Sequence, residues 1–250
     1  MQELYTEKLY YEDKNMTSFS AMVVDCTYDA VFDRCLVILN RTAFFPEAGG
    51  QKADKGTLNG VPVLDVTIKQ EVITHILEGN CLGSLPVGTS IEGCINWSQR
   101  FDFMQQHTGE HIISGLVNKH FGWNNVGFHL GYEEVTLDFD GLLSLAQLRD
   151  IEVLANQAIW KDLPVHERFP TKDELSSMNY RSKLELEEDV RIVEIPGYDV
   201  CACCAPHVET TGQIGLLKVT GVQSHRGGIR VNILCGGRAL RDYTEKQDSV

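Results

Sequence analysis

No stretch of this 250-residue chain approaches the ~20 consecutive apolar residues that a membrane-spanning helix needs, so no membrane role is expected. Residues 1–5 show no basic region leading into an apolar run, which predicts no signal peptide and a reducing, cytoplasmic setting. Internal repeats and low-complexity segments are missing as well. With 43% apolar and 23% charged residues, the composition is that of a globular protein; it excludes a disordered tail, a collagen-like repeat and a small disulfide-stapled scaffold. Positive charge is scarce. There are 22 Lys+Arg against 35 Asp+Glu, a net charge of −13, and such a chain is a poor general binder of nucleic acid. One stretch departs from the average: residues 216–241 carry Lys218, Arg226, Arg230, Arg238 and Arg241 and no acidic residue, and an anionic partner is expected there.

What the chain does have falls into two textures. Residues 21–26, 35–39, 61–66, 71–77 and 90–95 are short β-rich runs punctuated by Gly and Asn, and five such strands suggest a small barrel. From about residues 94–97 onward helices enter. Ser98 can cap a helix running to about Phe121, with Phe101, Met104, Thr108, Ile112 and Leu116 at helical spacing. Ser144 with Gln147, and Thr171 with Glu174, read as capping boxes that open two further helices. Strands return at 191–195, 214–222 and 229–234, and residues 238–246 look like the opening of a last helix. The expected fold is α+β, with an N-terminal small β-barrel over residues 1–95 followed by an α+β domain over residues 96–250.

Eight cysteines in a chain without a secretory signal argue for free thiols or metal ligation rather than disulfides. Three of them crowd into Cys201-Ala202-Cys203-Cys204. Upstream, His107-Thr108-Gly109-Glu110-His111 sets two imidazoles at i and i+4, on one face of a helix and within reach of one ion. Gly109 inside that helix costs ~1 kcal/mol and suggests the close approach of something. Cys203-Cys204-Ala205-Pro206-His207 supplies a thiolate and a third imidazole, completing a mixed S/N set suited to Zn2+. Cys203 keeps the three-residue spacer, with Cys204 in reserve and Cys201 nearby. The competing explanation is an inverted-motif zinc metallopeptidase, His-x-x-Glu-His with Glu110 as base and Glu185, Glu187 or Glu188 as third ligand. It leaves Cys203 and His207 unexplained. A non-catalytic, zinc-stapled RNA-binding module is the other alternative.

The pairing of His107-x-x-x-His111 with Cys203-x-x-x-His207, followed by Val208-Glu209-Thr210-Thr211-Gly212-Gln213-Ile214-Gly215, resembles the editing domain of alanyl-tRNA synthetases and their free-standing AlaX-type relatives. Residues 40–51, ending Glu47-Ala48-Gly49-Gly50-Gln51, resemble the glycine-rich motif of the N-terminal barrel in longer AlaX forms. Gly127-Phe128-His129-Leu130-Gly131 and residues 230–240 resemble further parts of the editing core. Two positions depart from the family pattern: Cys204-Ala205-Pro206 stands where Gly-Gly-Thr is frequent, and Ala48 precedes Gly49-Gly50 in place of a third glycine.

The resemblance implies a zinc-dependent trans-editing hydrolase. It would cleave the ester of serine or glycine from mischarged tRNA for alanine, engaging the acceptor end. It implies a zinc-bound water as the attacking species, or a zinc that anchors the substrate. Four protein ligands normally close a structural site, so five-coordination or one loosely held ligand is expected when substrate is present. Glu110 is the candidate general base or a partner of the ligands. Thr42, Gly49, Gly50, Gln51 and His129 are candidates to line the amino acid, and Arg226 and Arg230 to contact tRNA. The resemblance further implies that the chain continues past Val250 into a region that makes a homo-oligomer.

Overall fold

The β-rich runs of the first ninety residues alternate buried and open positions with a period of two, the mark of strands that cover a core on one face. The computed structural model describes residues 5–182 and 190–249. The chain divides into two units, Met1–Ala48 with Lys52–Phe101, and Gly49–Gln51 with Asp102–Val250.

The first unit contains β1 (Glu7–Lys8), β2 (Ser18–Asp29), β3 (Arg34–Leu39), β4 (Arg41–Thr42), β5 (Gly56–Leu58), β6 (Val61–Lys69), β7 (Val72–Glu78) and β8 (Ser90–Ile95). Six of these pair in the ring β2-β3-β7-β6-β5-β8 and close a barrel; β1 and β4 form a short parallel pair. The alternation identifies five of the six barrel strands. β5 escapes it because three residues are too short for a period to register, yet β5 bridges β6 and β8. A buried ion pair anchors the unit. The Arg100 guanidinium donates from Nε to both Asp54 carboxylate oxygens at 2.9 and 3.0 Å and, through its other nitrogens, to the carbonyls of Ala43 at 2.6 Å and Lys14 at 2.9 Å. Asp54 also accepts from the Phe45 amide at 2.6 Å.

Arg100 lies in the first turns of α1 (Trp97–Phe121), which explains why the division falls after Phe101 rather than at 95. Gln99 donates to the Ala53 carbonyl at 3.1 Å, and Trp97 and Phe101 pack ring to ring, so the helix starts within the first unit. The cap is Asn96, whose Oδ1 accepts from the Gln99 amide at 3.3 Å, and not Ser98, which lies inside the helix.

The second unit continues α1 and adds β9 (Asn125–Leu130), β10 (Val135–Phe139), α2 (Leu145–Trp160), β11 (His166–Arg168), α3 (Lys172–Ser177), β12 (Ile192–Ile195), β13 (Asp199–Ala202), β14 (Leu217–His225), β15 (Gly228–Cys235) and α4 (Gly236–Asp248). One antiparallel sheet has the order β14-β15-β10-β9 and a second the order β11-β12-β13. Both capping boxes form, at Ser144 with Gln147 and at Thr171 with Glu174. The run at 214–222 starts later as a strand, because residues Thr211–Ile214 wind into a 3-10 turn. Among the described residues, no helix is long and apolar enough to cross a membrane.

Nearly every residue of α1 from 103 to 117 is buried, the pattern of a helix enclosed on all sides. Its glycines make that possible. A Cβ on Gly109 would stand 2.3 Å from the Cys235 Sγ, and one on Gly115 would stand 2.2 Å from the Tyr198 carbonyl oxygen. The close approach that Gly109 signals is therefore made by the β15 strand, not by a ligand. Arg238, in the basic stretch, is buried rather than presented to solvent, donating from Nε to Asp102 at 2.9 and 3.0 Å and from Nη1 to the Gly131 carbonyl at 3.0 Å. It contributes packing rather than surface charge to the basic stretch.

Candidate metal centre

The helical spacing of His107 and His111 stacks their rings on one face of α1, with centroids 5.4 Å apart. His207 turns its ring against both, at 4.8 and 4.6 Å. The Cys203 Sγ lies 3.5 Å from His107 Nε2 and 3.4 Å from His207 Nε2. One ligand atom from each of His107, His111, Cys203 and His207 falls within 4.8 Å of every other. Cys203, not Cys204, is the thiol in this set.

The backs of the three imidazoles are each held by a different group. His107 Nδ1 pairs with Gln51 Oε1 at 2.7 Å, and His111 Nδ1 with Asp199 Oδ2 at 2.8 Å. His207 Nδ1 pairs with the Thr108 hydroxyl at 3.1 Å. That hydroxyl gives its own proton to the Met104 carbonyl at 2.7 Å, so it can only accept from His207. With a proton on each Nδ1, the three Nε2 lone pairs converge beside the sulfur. Outer partners that fix the tautomer of metal-binding histidines produce this arrangement.

The Cys203-to-His207 segment has no regular secondary structure and depends on Arg191. The Arg191 guanidinium donates to the carbonyls of Cys203 at 3.0 Å and Ala205 at 2.8 Å, and pairs with Glu167 at 2.6 Å. Glu167 in turn accepts from the His207 amide at 3.1 Å. Asp199 is held likewise: Arg181 grips it through two bonds of 2.7 and 2.8 Å. Burial works against the Asp199 carboxylate, but the His111 hydrogen bond and Arg181 outweigh it and hold its pKa below the usual range. For His111 burial alone would lower the pKa, yet the Glu110 charge and the Asp199 bond keep it above the ordinary histidine value. Asp199, Arg181 and Arg191 carry no motif that sequence reading could have used.

The remaining candidates are distributed as follows. Glu110 is buried; its Oε1 accepts from Ser114 at 2.7 Å and Asn125 at 2.6 Å, while its Oε2 is 3.7 Å from His111 Nε2. Gly49, Gly50 and Gln51 belong to the second unit, where Gln51 bridges to Leu130 and the Gly50 carbonyl accepts from the Leu130 amide at 2.7 Å. Gly50 is required: its φ is +86°, and a Cβ would come 2.3 Å from the Phe128 oxygen. A Cβ on Gly49 would stand 3.6 Å from the Cys204 Sγ. The Gln51 amide nitrogen is buried without a hydrogen-bond partner. His129 is exposed, and its neighbour Phe128 is the β9 residue whose ring lies 4.7 Å from His107. Thr42 is buried in the first unit, bonded to His75 at 2.9 Å. Arg226 is exposed at the β14–β15 turn, with φ +46°. Arg230 is clamped to Asp138 by bonds of 2.6 and 2.7 Å. Glu185, Glu187 and Glu188 lie outside the described residues.

Comparison with known proteins adds an independent line. Residues 190–231 match the model of the threonyl and alanyl tRNA synthetase second additional domain, and residues 2–99 that of class II (A) tRNA synthetases. An alanine–tRNA ligase of Methanopyrus kandleri is 33% identical over 257 residues, covering 97% of this chain and 27% of the ligase. The alanyl-tRNA editing protein AlaX-L of Pyrococcus horikoshii is 30% identical over 249 residues, covering 96% of this chain and 60% of that protein. The alanyl-tRNA editing protein Aarsd1-A of Xenopus laevis is 32% identical over 215 residues, covering 84% and 51%. The chain thus spans a little over half the length of these editing proteins and about a quarter of the ligase. Over nearly its whole length the chain is similar both to alanyl-tRNA editing proteins and to the matching quarter of an alanine–tRNA ligase.

Proposed function

We propose that this chain is a zinc-dependent trans-editing hydrolase that removes serine or glycine from mischarged tRNA for alanine by ester hydrolysis, acting on the acceptor end. The observation that carries this reading is the convergence of three imidazole Nε2 atoms and one thiol, with every imidazole oriented from behind. Three nitrogens and one sulfur are the donor set of zinc, and the separations suit a small tetrahedral ion. Bound there, zinc supplies a Lewis acid for the ester and its attacking water. Cys203 is the one member of the set that is half-exposed, which supports an approach for solvent and substrate on the sulfur side. Glu110 presents an oxygen toward His111 Nε2 while its other oxygen is tied to Ser114 and Asn125, so it is placed to take a proton near the ion or to hold the local charge. The Gln51 amide nitrogen, buried beside the His107 it orients, is a donor suited to a substrate oxygen. Gly49, Gly50 and His129 remain proposed substrate-lining residues, whereas Thr42, fully buried and bonded to His75 within the barrel, is given a structural role there. Arg226 is the proposed phosphate contact, with Arg230 braced beside it by Asp138. A cytoplasmic location and a homo-oligomer are part of the same proposal.

The test is deacylation of tRNA for alanine charged with serine, glycine or alanine. Accelerated loss of serine or glycine is expected, with alanine spared, and Cys203→Ala or chelation of the metal abolishes it. Ester loss at the rate of buffer, with zinc bound, overturns the enzymatic reading and leaves a zinc-stapled RNA-binding module. Metal content that survives Cys203→Ala and is lost in Glu185→Ala instead supports the peptidase arrangement.

A further inference from the structure

Three cysteines outside the metal centre are unassigned by anything above. Cys26 lies on β2 and Cys35 on β3; Cys35 is opposite Tyr28, two residues along from Cys26, so both side chains share one face of the strand pair. Cys81 follows β7 in the turn that Ser84 and Leu85 close by donating to its carbonyl at 2.9 and 3.0 Å. Its amide donates to the Cys35 Sγ at 3.0 Å, bringing the third thiol over the other two. The three Sγ atoms lie within 4.8 Å of one another. Cys35 and Cys81 are buried and Cys26 is half-exposed. Structural cysteines are usually scattered single fillers, whereas here one end of the barrel gathers three.

We propose that Cys26, Cys35 and Cys81 form a second metal site, within the first unit, that takes one soft, thiophilic ion, Cu(I), on three sulfurs. The donors decide the class of ion. No histidine or carboxylate joins the trio among the described residues, and an all-thiolate set selects soft ions over oxygen-seeking ones. Structural zinc sites and iron–sulfur clusters take four protein ligands where this group offers three, and a compact three-sulfur set suits Cu(I). Metal–sulfur bonds of about 2.3 Å in a trigonal plane hold the sulfurs about 4 Å apart, a spacing compatible with three Sγ atoms that lie within 4.8 Å of one another. Burial pushes the Cys26 and Cys81 thiols up, so both hold their protons in the metal-free protein. Binding breaks three S–H bonds, forms three Cu–S bonds and releases three protons to solvent, with no change of oxidation state. Cys26 is the side on which the ion enters.

The reduced full chain is titrated without oxygen against Cu(I) held by a chromophoric chelator. Wild type and Cys203→Ser are each expected to withdraw one equivalent. Cys26→Ser and Cys81→Ser, checked for retained fold by far-ultraviolet circular dichroism, are expected to bind about 10-fold more weakly or worse. X-ray absorption at the copper edge of the wild-type protein, which depends on no variant folding, is expected to show sulfur neighbours alone. Equal uptake by wild type and Cys26→Ser, loss of uptake in Cys203→Ser, or nitrogen neighbours at the copper each overturn the proposal.

Discussion

Each unit buries a cluster of charged and polar side chains, and the two clusters are finished differently. In the barrel, the Arg100 and Asp54 side chains are fully buried and spend their hydrogen bonds on each other and on the backbone of Lys14, Ala43 and Phe45. Nothing in that cluster points at an empty place. In the second unit, Gln51, Asp199 and Thr108 hold the imidazoles from behind, and the front atoms converge on a common point with a thiol. A cluster that closes on itself specifies a fold; a cluster satisfied only from outside specifies a ligand. Burial alone does not separate them, since His107, His111 and His207 are as enclosed as Arg100.

If the barrel cluster is purely architectural, breaking it should cost stability and nothing specific. Arg100→Met removes a cation from a carboxylate that has no water to turn to. Losing one partner of a buried pair costs about 3–5 kcal/mol, the largest effect expected here. Urea unfolding of the first unit's signal measures it. A loss below about 1 kcal/mol would mean that Asp54 finds solvent and that the cluster is not closed.

A second break uses acid. His75 is enclosed in the barrel, bonded to the Thr42 hydroxyl at 2.9 Å and the Val37 carbonyl at 3.1 Å, and burial pushes its pKa down to about 4. The folded barrel therefore keeps His75 neutral, while the unfolded chain takes up a proton below ~6.5. The unfolded state then binds more protons, so stability is complete above about pH 6.5 and falls as pH drops toward 4, by about 3 kcal/mol in total. The difference in unfolding free energy between wild type and His75→Asn, followed from pH 7 to pH 4, isolates this contribution. A flat difference sinks it.

How much of this was legible beforehand follows from sequence distance. The candidate metal-ligand set is written as two spacings, i to i+4 on a helix and Cys203 to His207 in a loop, so it can be read locally. The strands are written as alternation, and β5 was lost only because three residues hold no period. The outer partners are invisible: His111 meets Asp199 across 88 positions, and Arg100 meets Asp54 across 46. Arg191 and Arg181 look like ordinary surface charges until the fold turns them inward. Gln51 was found through the glycine-rich resemblance, not through any pattern that predicts a bond to His107. Arg238 misled for the opposite reason, since a basic residue in a basic stretch gives no sign of the Asp102 that buries it.

The metal centre can be sharpened from its outer partners. Asp199→Asn keeps the shape but replaces the anion between His111 and Arg181, and the loss of such a partner weakens metal binding about 10–100-fold. Competition with a zinc chelator reads this directly. The same competition run against pH should show affinity climbing through and beyond the ordinary histidine range, because the metal-free His111 holds its proton unusually well and must give it up.

The smallest expected effect tests the tautomer argument itself. Thr108 is buried in α1 and supplies no candidate ligand atom; its hydroxyl gives its proton to Met104 and so presents only a lone pair to His207 Nδ1–H. Thr108→Val keeps the volume and removes that acceptor, leaving His207 free to carry its proton on either nitrogen. Serine restores the hydroxyl at the cost of a methyl group. Zinc affinity about 10-fold lower in Thr108→Val, and recovered in Thr108→Ser, ties binding to the outward-facing hydrogen bond. A purely packing role would reverse the ranking, with serine the weaker variant because it opens a cavity that valine fills. Equal affinities in all three proteins would mean that the ion alone aligns His207, and the contrast between closed and outward-braced clusters would then rest on Gln51 and Asp199.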